Sequence, residues 1–258
     1  MAILTGRLEA LAEQIKPGET MADIGTDHGF LPIALFQRGT CPTVIMTDVS
    51  KKALAKAREH GEGILDLSDE NYRSGDGLAP ISPGEVNVAV LAGMGGILMT
   101  SIMAADLVKS KTIPKFIFQP RNHPEVLRHW LIHNGFSILR ESLVRERRNL
   151  CEIIVASPSP DLESLHVGSE IMAEIATEIR AEISWPEGDI RWEIPPWYAK
   201  LPDPLAKEYL HKKLERELRV RREIQKGQAP DSIRLEQLTS RIGYLRDLYE
   251  KRESNDSV

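Results

Sequence analysis

The residues best placed to do chemistry in this chain are acids at the ends of strand-like runs. Asp23 and Asp27 lie in Met21-Ala22-Asp23-Ile24-Gly25-Thr26-Asp27-His28-Gly29, a buried-strand pattern running into a glycine-permitted turn. Asp48 closes a second apolar run, Thr43-Val44-Ile45-Met46-Thr47, about 20 residues beyond the turn, the spacing of a ribose-binding acid. Asp76 stands between Gly75 and Gly77. A strand ending in an acid after a glycine turn is how Rossmann-like folds hold a nucleoside. The backbone approaches the ligand at glycine, and the carboxylate accepts the ribose hydroxyls.

The charge of the turn separates candidate cofactors. A dinucleotide site uses G-x-G-x-x-G so that backbone N–H groups reach a pyrophosphate. Here the middle glycine is missing and Asp27 occupies the turn. A carboxylate there repels phosphate. S-adenosyl-L-methionine has no phosphate and carries a sulfonium and an ammonium, both compatible with nearby carboxylates. The turn therefore favours a methyl donor over NAD.

Each position has a plainer reading beside the functional one. Asp23 and Gly25 could contact the methionine end of the cofactor, or form a strand-end turn in which glycine permits φ > 0. Asp48 could accept the ribose hydroxyls, or sit as an acid at a helix N-terminus. Gly93, Gly95 and Gly96 could admit two ligands to the backbone, or permit close helix–sheet packing. Met94 could line a base pocket or fill core. Asp27 could act on a substrate or cap the following helix, with His28 exposed.

The elements that must position these residues follow from the apolar pattern. Leu8, Leu11 and Ile15 recur at helical spacing before Lys16-Pro17-Gly18. Strands are expected at 20–24, 43–48, 72–74, 86–91 and 115–119, with helices at 29–38, 50–60, 96–105 and 124–134. Two β segments, 136–144 and 150–156, are joined by Arg145 to Asn149. Alternating strands and helices imply a mostly parallel sheet with right-handed crossovers. Ligands in such sheets bind beyond the strand C-termini, where every motif above lies. Ser157-Pro158-Ser159-Pro160 marks a domain boundary. A helix is expected at 169–183, an irregular Trp/Pro-rich stretch at 185–204, and helices at 205–226 and 232–251. Leu235, Leu238, Ile242, Leu245 and Tyr249 step by 3 and 4, a heptad seam. The short connector between the last two helices favours an antiparallel pair.

Bulk composition narrows the function classes. At 258 residues, 41% hydrophobic and 28% charged, the chain suits one large domain plus an appendage. Cys41 and Cys151 have no metal-like spacing, so no metal is expected, and they point to a reducing compartment. The N-terminus lacks a signal-peptide layout. The run Val86 to Met99 is broken by Asn87 and three glycines, so no membrane span is expected. The expected location is cytoplasmic. A net charge of −5 gives no general attraction to nucleic acid, although local clusters override a total.

The chain resembles the bacterial tRNA (adenine-22-N1)-methyltransferase family. The matching pieces are Met21 to His28, Gly75-Asp76-Gly77-Leu78, Ala92-Gly93-Met94-Gly95-Gly96, Gln119-Pro120 and Cys151-Glu152-Ile153-Ile154-Val155. They cover roughly the first 156 residues, and the tail matches in type. The resemblance implies an α/β fold: a class I methyltransferase (Rossmann-like) mostly parallel sheet, residues 1–158, with a C-terminal helical coiled-coil appendage, residues 159–258. It implies S-adenosyl-L-methionine as cofactor and tRNA as partner. One departure is Arg121, where Asn often follows Gln-Pro in the family. No Asn/Asp-Pro-Pro-Tyr/Phe motif of exocyclic-amine methyltransferases is present, which points to a ring nitrogen.

Roles follow from that chemistry. Adenine N1 has a lone pair and needs no base, and its methylated product is cationic. Asp27 near N6–H would stabilise the forming charge, and His28 would orient the base or Asp27. These two are the expected catalytic residues. Asp23, Gly25, Asp48, Val49, Asp76, Gly77, Ala92 and Gly93 are expected to bind the cofactor, with Asp76 at the adenine amine as the resemblance implies. Met94, Gly95, Arg121 and Arg147 are expected to meet the substrate. In the tail, Lys212, Lys213, Arg216 and Arg219 offer phosphate contacts, or else a solvated helix face. The alternatives are a small-molecule methyltransferase, a NAD-dependent oxidoreductase and a non-catalytic RNA- or protein-binding module. The oligomeric state is not legible.

Overall fold

The computed structural model describes residues 4–64, 67–158, 185–226 and 231–255. The chain groups into two compact units, residues 1–184 and residues 185–258. The helix expected at 169–183 and the connector at 227–230 lie outside the described residues.

The first unit is built on seven strands: β1 Met21–Ile24, β2 Val44–Asp48, β3 Tyr72–Ser74, β4 Val88–Met94, β5 Lys115–Pro120, β6 Ser137–Glu146 and β7 Asn149–Ser157. Their order across the sheet is β3-β2-β1-β4-β5-β7-β6. The pairs from β3 through β5 are parallel, and β7 runs antiparallel to both of its neighbours. The reversed strand is the one the closing β–turn–β segment leads one to expect. The central strands are apolar and shielded on both faces. Val44, Ile45, Met46, Val88, Ala89, Val90, Phe116, Ile117 and Phe118 are all buried, which is why they read as continuous runs rather than alternating ones.

Helices α1 Gly6–Ala12, α2 Phe30–Gln37, α3 Lys51–Gly61, α4 Gly96–Ala105, α5 Leu107–Ser110 and α6 Pro124–His133 occupy the connections. Thr5 caps α1 by accepting from the Leu8 amide, and Ser50 caps α3 by accepting from the Ala53 amide. Pro124 opens α6 at a position where its missing N–H costs nothing. α1 ends at Ala12 rather than at Ile15, yet Ile15 still reaches the core at 5% exposure.

Three local features depart from the sequence pattern. β4 runs on through Gly93 to Met94 instead of stopping at Leu91, with a register shift between Ala92 and Met94. That irregularity lets Met94 pair with Pro120, although proline offers no N–H to the ladder. The β6–β7 hairpin is tighter than the five-residue loop expected: both strands extend until only Arg147 and Arg148 remain between them. Arg147 takes a positive φ of 55° there. Finally, Asp106 starts a separate short helix, α5, by accepting from the Lys109 amide.

The second unit comprises α7 Ile190–Glu193, a 3₁₀ turn at Pro196–Ala199, α8 Ala206–Gln225 and α9 Ser232–Asn255. The Trp/Pro-rich stretch is not irregular throughout, because it forms α7 and the 3₁₀ turn. Its aromatic rings make the core: Trp192 and Tyr198 are fully buried. Along α9, Leu238, Ile242, Leu245 and Leu248 are buried. Lys207 pairs with Glu253 at 2.9 Å, the His211 and Tyr249 rings lie 5.8 Å apart, and Glu217 pairs with Arg241 at 2.9 Å. As the α8 partner advances the α9 partner recedes, so the two helices run antiparallel.

Candidate active site

β1 and β4 are sheet neighbours, but the chain leaves β1 toward β2 and leaves β4 toward β5. This reversal opens a crevice at the C-terminal ends of β1 and β4, where ligands of open α/β sheets bind. β1 enters the crevice through Gly25, whose φ of 78° suits only glycine comfortably. The Gly25 and Thr26 amides both donate to the Thr47 carbonyl of β2, at 2.8 and 2.9 Å. The turn is thereby strapped to the strand that ends in Asp48.

Asp23 sits on β1 opposite Met46 and Val90. Burial pushes its carboxyl up to about 6, opposed by Thr26 and Arg7 and assisted by repulsion from Asp48. Thr26 is close enough to act on Asp23 but is not in hydrogen-bonding geometry: its Oγ1 is buried without a partner among the described residues. The Asp48 carboxylate accepts from the Ser50 amide at 2.6 Å, so it serves the α3 entry whatever else it binds. Val49, next to it, is 67% exposed. Asp76 is exposed in the turn after β3, and Gly77 backs onto Ile102.

From the other side come Ala92, Gly93 and Met94. Gly93 has φ 75°, and a Cβ added there would meet open space. The Met94 methyl lies 2.9 Å from the place a Gly25 Cβ would take, which brings Met94 against the β1 turn. Gly95 and Gly96 are explained by packing. A Cβ at Gly95 would approach Asn122 Oδ1 at 2.6 Å, and one at Gly96 would collide with the His123 carbonyl. The Gly96 amide also donates to the Asn122 carbonyl at 2.9 Å, and the Arg121 amide to the Met94 carbonyl at the same distance. The Arg121 side chain is exposed beside them.

Asp27 does not cap α2. The N-cap is Gly29, in the left-handed conformation and without a side-chain cap. Instead, the Asp27 carboxylate lies 3.2 Å from His28 Nε2 and 3.4 Å from Lys56 Nζ. His28 is half-buried rather than exposed. Its Nδ1 is buried with no hydrogen-bond partner among the described residues.

Sequence reasoning missed four contributors. Arg7, on α1, donates to Glu146 at 2.9 Å and to the side-chain Oε1 of Gln119 at 3.1 Å. That same oxygen accepts from the Gly93 amide at 3.2 Å. Lys56 and His60 lie on α3 and Phe30 opens α2, and all three gather around His28. Only a fold brings these positions together, so no local motif signals them.

The remaining expected residues lie elsewhere. Arg147 is at the exposed tip of the β6–β7 hairpin. On α8, Lys212 pairs with Glu208 at 2.8 Å, and Lys213 reaches Glu193 at 3.1 Å. Burial alone would raise Glu193, but Lys213 and Arg241 outweigh it and hold the carboxyl at about 2. Lys213 thus belongs to an internal ion network, whereas Arg216 and Arg219 are exposed.

The crevice suits a cationic nucleoside. It offers Asp23 and Asp48 at the ends of neighbouring strands and an open approach at Gly93. Among the described residues, no group of three or more His, Cys, Asp or Glu could hold a metal ion. No described helix is long and apolar enough to cross a membrane.

Comparison with known proteins agrees with this chemistry. A methyltransferase-domain family matches residues 4–154. A tRNA (adenine(22)-N(1))-methyltransferase of Bacillus subtilis (strain 168) is 31% identical over 170 residues, which are 66% of this chain and 71% of that protein. The solved structure of the B. subtilis tRNA methyltransferase TrmK matches with a TM-score of 0.74 at 23% identity, covering 96% of this chain and all of that one. M. capricolum TrmK, solved with S-adenosyl-homocysteine, matches with a TM-score of 0.69 at 20% identity, covering 96% of this chain and 98% of that one. The two structural likenesses show a shared fold.

Proposed function

This chain belongs to the tRNA (adenine(22)-N(1))-methyltransferase family, and on that premise we propose how its residues perform the reaction. The protein transfers a methyl group from S-adenosyl-L-methionine to N1 of an adenine in tRNA, adenine 22 by family. When bound, the cofactor supplies a methyl group on a positively charged sulfur. Asp23 pairs with its ammonium and Asp48 accepts its ribose hydroxyls. Asp76 meets the adenine amine, and Gly25, Val49, Gly77, Ala92 and Gly93 complete the cradle.

Target adenine N1 attacks with its own lone pair, so no general base is required. Methylation leaves the ring cationic and makes N6–H a stronger donor. Asp27 accepts that hydrogen bond and offsets the new charge, where a fixed acceptor stabilises the transition state more than the ground state. His28 holds the carboxylate. Met94, Gly95 and Arg121 border the base entry. Residues 1–158 form the methyl-transfer domain, whose hairpin residue Arg147 meets a tRNA phosphate. The helical tail expected from residue 159, described from residue 185 on, carries Arg216 and Arg219, which meet others. The cytoplasm, where tRNA and reduced thiols coexist, is the place of action.

The observation that supports this reading is the placing of Asp23 and Asp48 on neighbouring strands whose C-terminal ends border one crevice, a charge pattern hostile to a pyrophosphate. Incubation with unmodified tRNA and isotopically labelled cofactor, followed by nucleoside mass spectrometry, tests it. The expected product is 1-methyladenosine. Label in an exocyclic-amine product, or none in tRNA, sinks the reading.

A further inference from the structure

The side of the crevice formed by α2 and α3 carries two rings that methyl transfer itself does not use, Phe30 and His60, packed beside His28. Phe30 is 46% exposed at the start of α2, which leaves much of an apolar ring in water. It is not isolated. The Phe30 and His28 rings lie 5.2 Å apart and within 6° of parallel. Phe30 and His60 lie 4.7 Å apart at 25°, and His28 and His60 5.3 Å apart at 28°. The His60 ring is fixed by Nδ1, 2.9 Å from the His28 carbonyl. Three nearly parallel rings therefore form a preset plate, open to solvent at Phe30 and His60. Lys56 stands at its edge, with Nζ 3.4 Å from His28 Nε2.

We infer that this plate is a stacking subsite for a nucleobase adjacent to the methylated adenine. The inference rests on the proposed RNA substrate and adds a residue set to it. Target adenine must enter beside Gly93 and Met94, at the end of β4. The target's N6 faces Asp27, which touches His28 at the inner edge of the plate, so the exposed rings beyond it, Phe30 and His60, are left for the adjoining nucleotide. Aromatic faces hold splayed-out bases in single-stranded RNA without demanding a base identity. A lysine at the rim suits the phosphate that joins that base to the next. Ordering three rings before binding lowers the entropic cost of stacking.

The test compares steady-state kinetics on tRNA with cofactor binding by calorimetry, for Phe30→Ala, Phe30→Leu, Phe30→Tyr and His60→Ala. Stacking on one aromatic side chain accounts for about a 10- to 100-fold effect. Phe30→Ala and Phe30→Leu are expected to raise KM for tRNA by about that factor, with cofactor Kd unchanged. Phe30→Tyr keeps the flat face and restores wild-type KM, and His60→Ala gives a smaller rise. Phe30→Leu is the decisive control, since it preserves apolar bulk and removes the π-face. If wild type methylates tRNA and Phe30→Leu keeps its KM, the stacking subsite is overturned while the reaction stands. If wild type transfers no methyl group to tRNA, both fall together.

Discussion

Arg7 and Gln119 are 112 positions apart in sequence, yet their side chains meet at 3.1 Å beside the cofactor crevice. The Gln119 oxygen that receives Arg7 also receives the Gly93 amide. Arg7 thus positions the β4 end without belonging to the sheet. Its positive charge also opposes the rise of the Asp23 carboxyl. Arg7→Met keeps the stem and removes both effects. Charge-assisted hydrogen bonds contribute about 1.5–3 kcal/mol, so cofactor Kd is expected to rise roughly tenfold or more. Calorimetry reads this directly, and an unchanged Kd would separate Arg7 from the site.

Asp27→Asn keeps size and hydrogen-bonding capacity but removes the charge that we propose offsets the cationic adenine. The expected result is a fall in kcat of about 100- to 1,000-fold, the usual cost of losing one preorganised transition-state interaction. Cofactor Kd should change little. Single-turnover methylation of tRNA measures the step, and an unaltered rate would remove Asp27 from catalysis.

Asp23 gives a pH signature with opposite signs for stability and binding. Its folded pKa of about 6 exceeds the unfolded value of about 3.9. The folded state therefore holds the proton more tightly, and stability falls as pH rises from about 4 to about 6, staying lowered above that. Ligand-free Asp23→Asn should be more stable than wild type at pH 7.5, by on the order of 2 kcal/mol, with the gap closing near pH 4. Binding of the cationic cofactor needs the carboxylate, so wild-type affinity should weaken as pH drops below about 6. The variant should bind weakly with a flat profile. Denaturant midpoints and calorimetry across this range check both halves.

Arg128 is wholly buried between Glu141 and Glu152, donating through Nε to Glu141 at 2.7 Å. Removing the cation strands two carboxylates in a low-dielectric interior. Arg128→Met is expected to destabilise the fold by about 3–5 kcal/mol. Adding Glu141→Leu and Glu152→Leu to it should restore much of the loss. Chemical denaturation of the single and triple variants distinguishes this from a simple packing defect, for which the triple would be worse.

Arg216→Ala with Arg219→Ala tests the helical domain. If both meet phosphates, tRNA affinity falls and the slope of log K against log salt shrinks by about 0.7–0.9 for each phosphate no longer neutralised. An unchanged slope would make this helix face a solvated one. Lys213 is a poor substitute target, because its ammonium already faces Glu193.

The sheet was legible because doubly covered parallel strands are apolar runs, and Val44–Met46 and Phe116–Phe118 are clear ones. Asp23 and Asp48 were legible as crevice residues because they fall at run ends, where the topology opens its crevice. Arg7 was not, because its meaning depends on Gln119 and Glu146, residues brought near only by closure of the whole sheet. Phe30 and His60 were hidden for a related reason: they start and end different helices, and nothing local shows that their rings meet. The extension of β4 to Met94 was masked by Gly93, which reads as a strand breaker but here allows a bulge.

The seating of Gly96 against the His123 carbonyl constrains how this enzyme can change its substrate. Even a methyl group at 96 forces the 121–123 loop outward, and that loop carries Arg121, proposed above to border the base entry. Retuning substrate preference by substitution at 96 alone would therefore fail. The start of α4 and the loop before α6 must vary in concert, and libraries that randomise them jointly should yield active variants that single-site libraries miss.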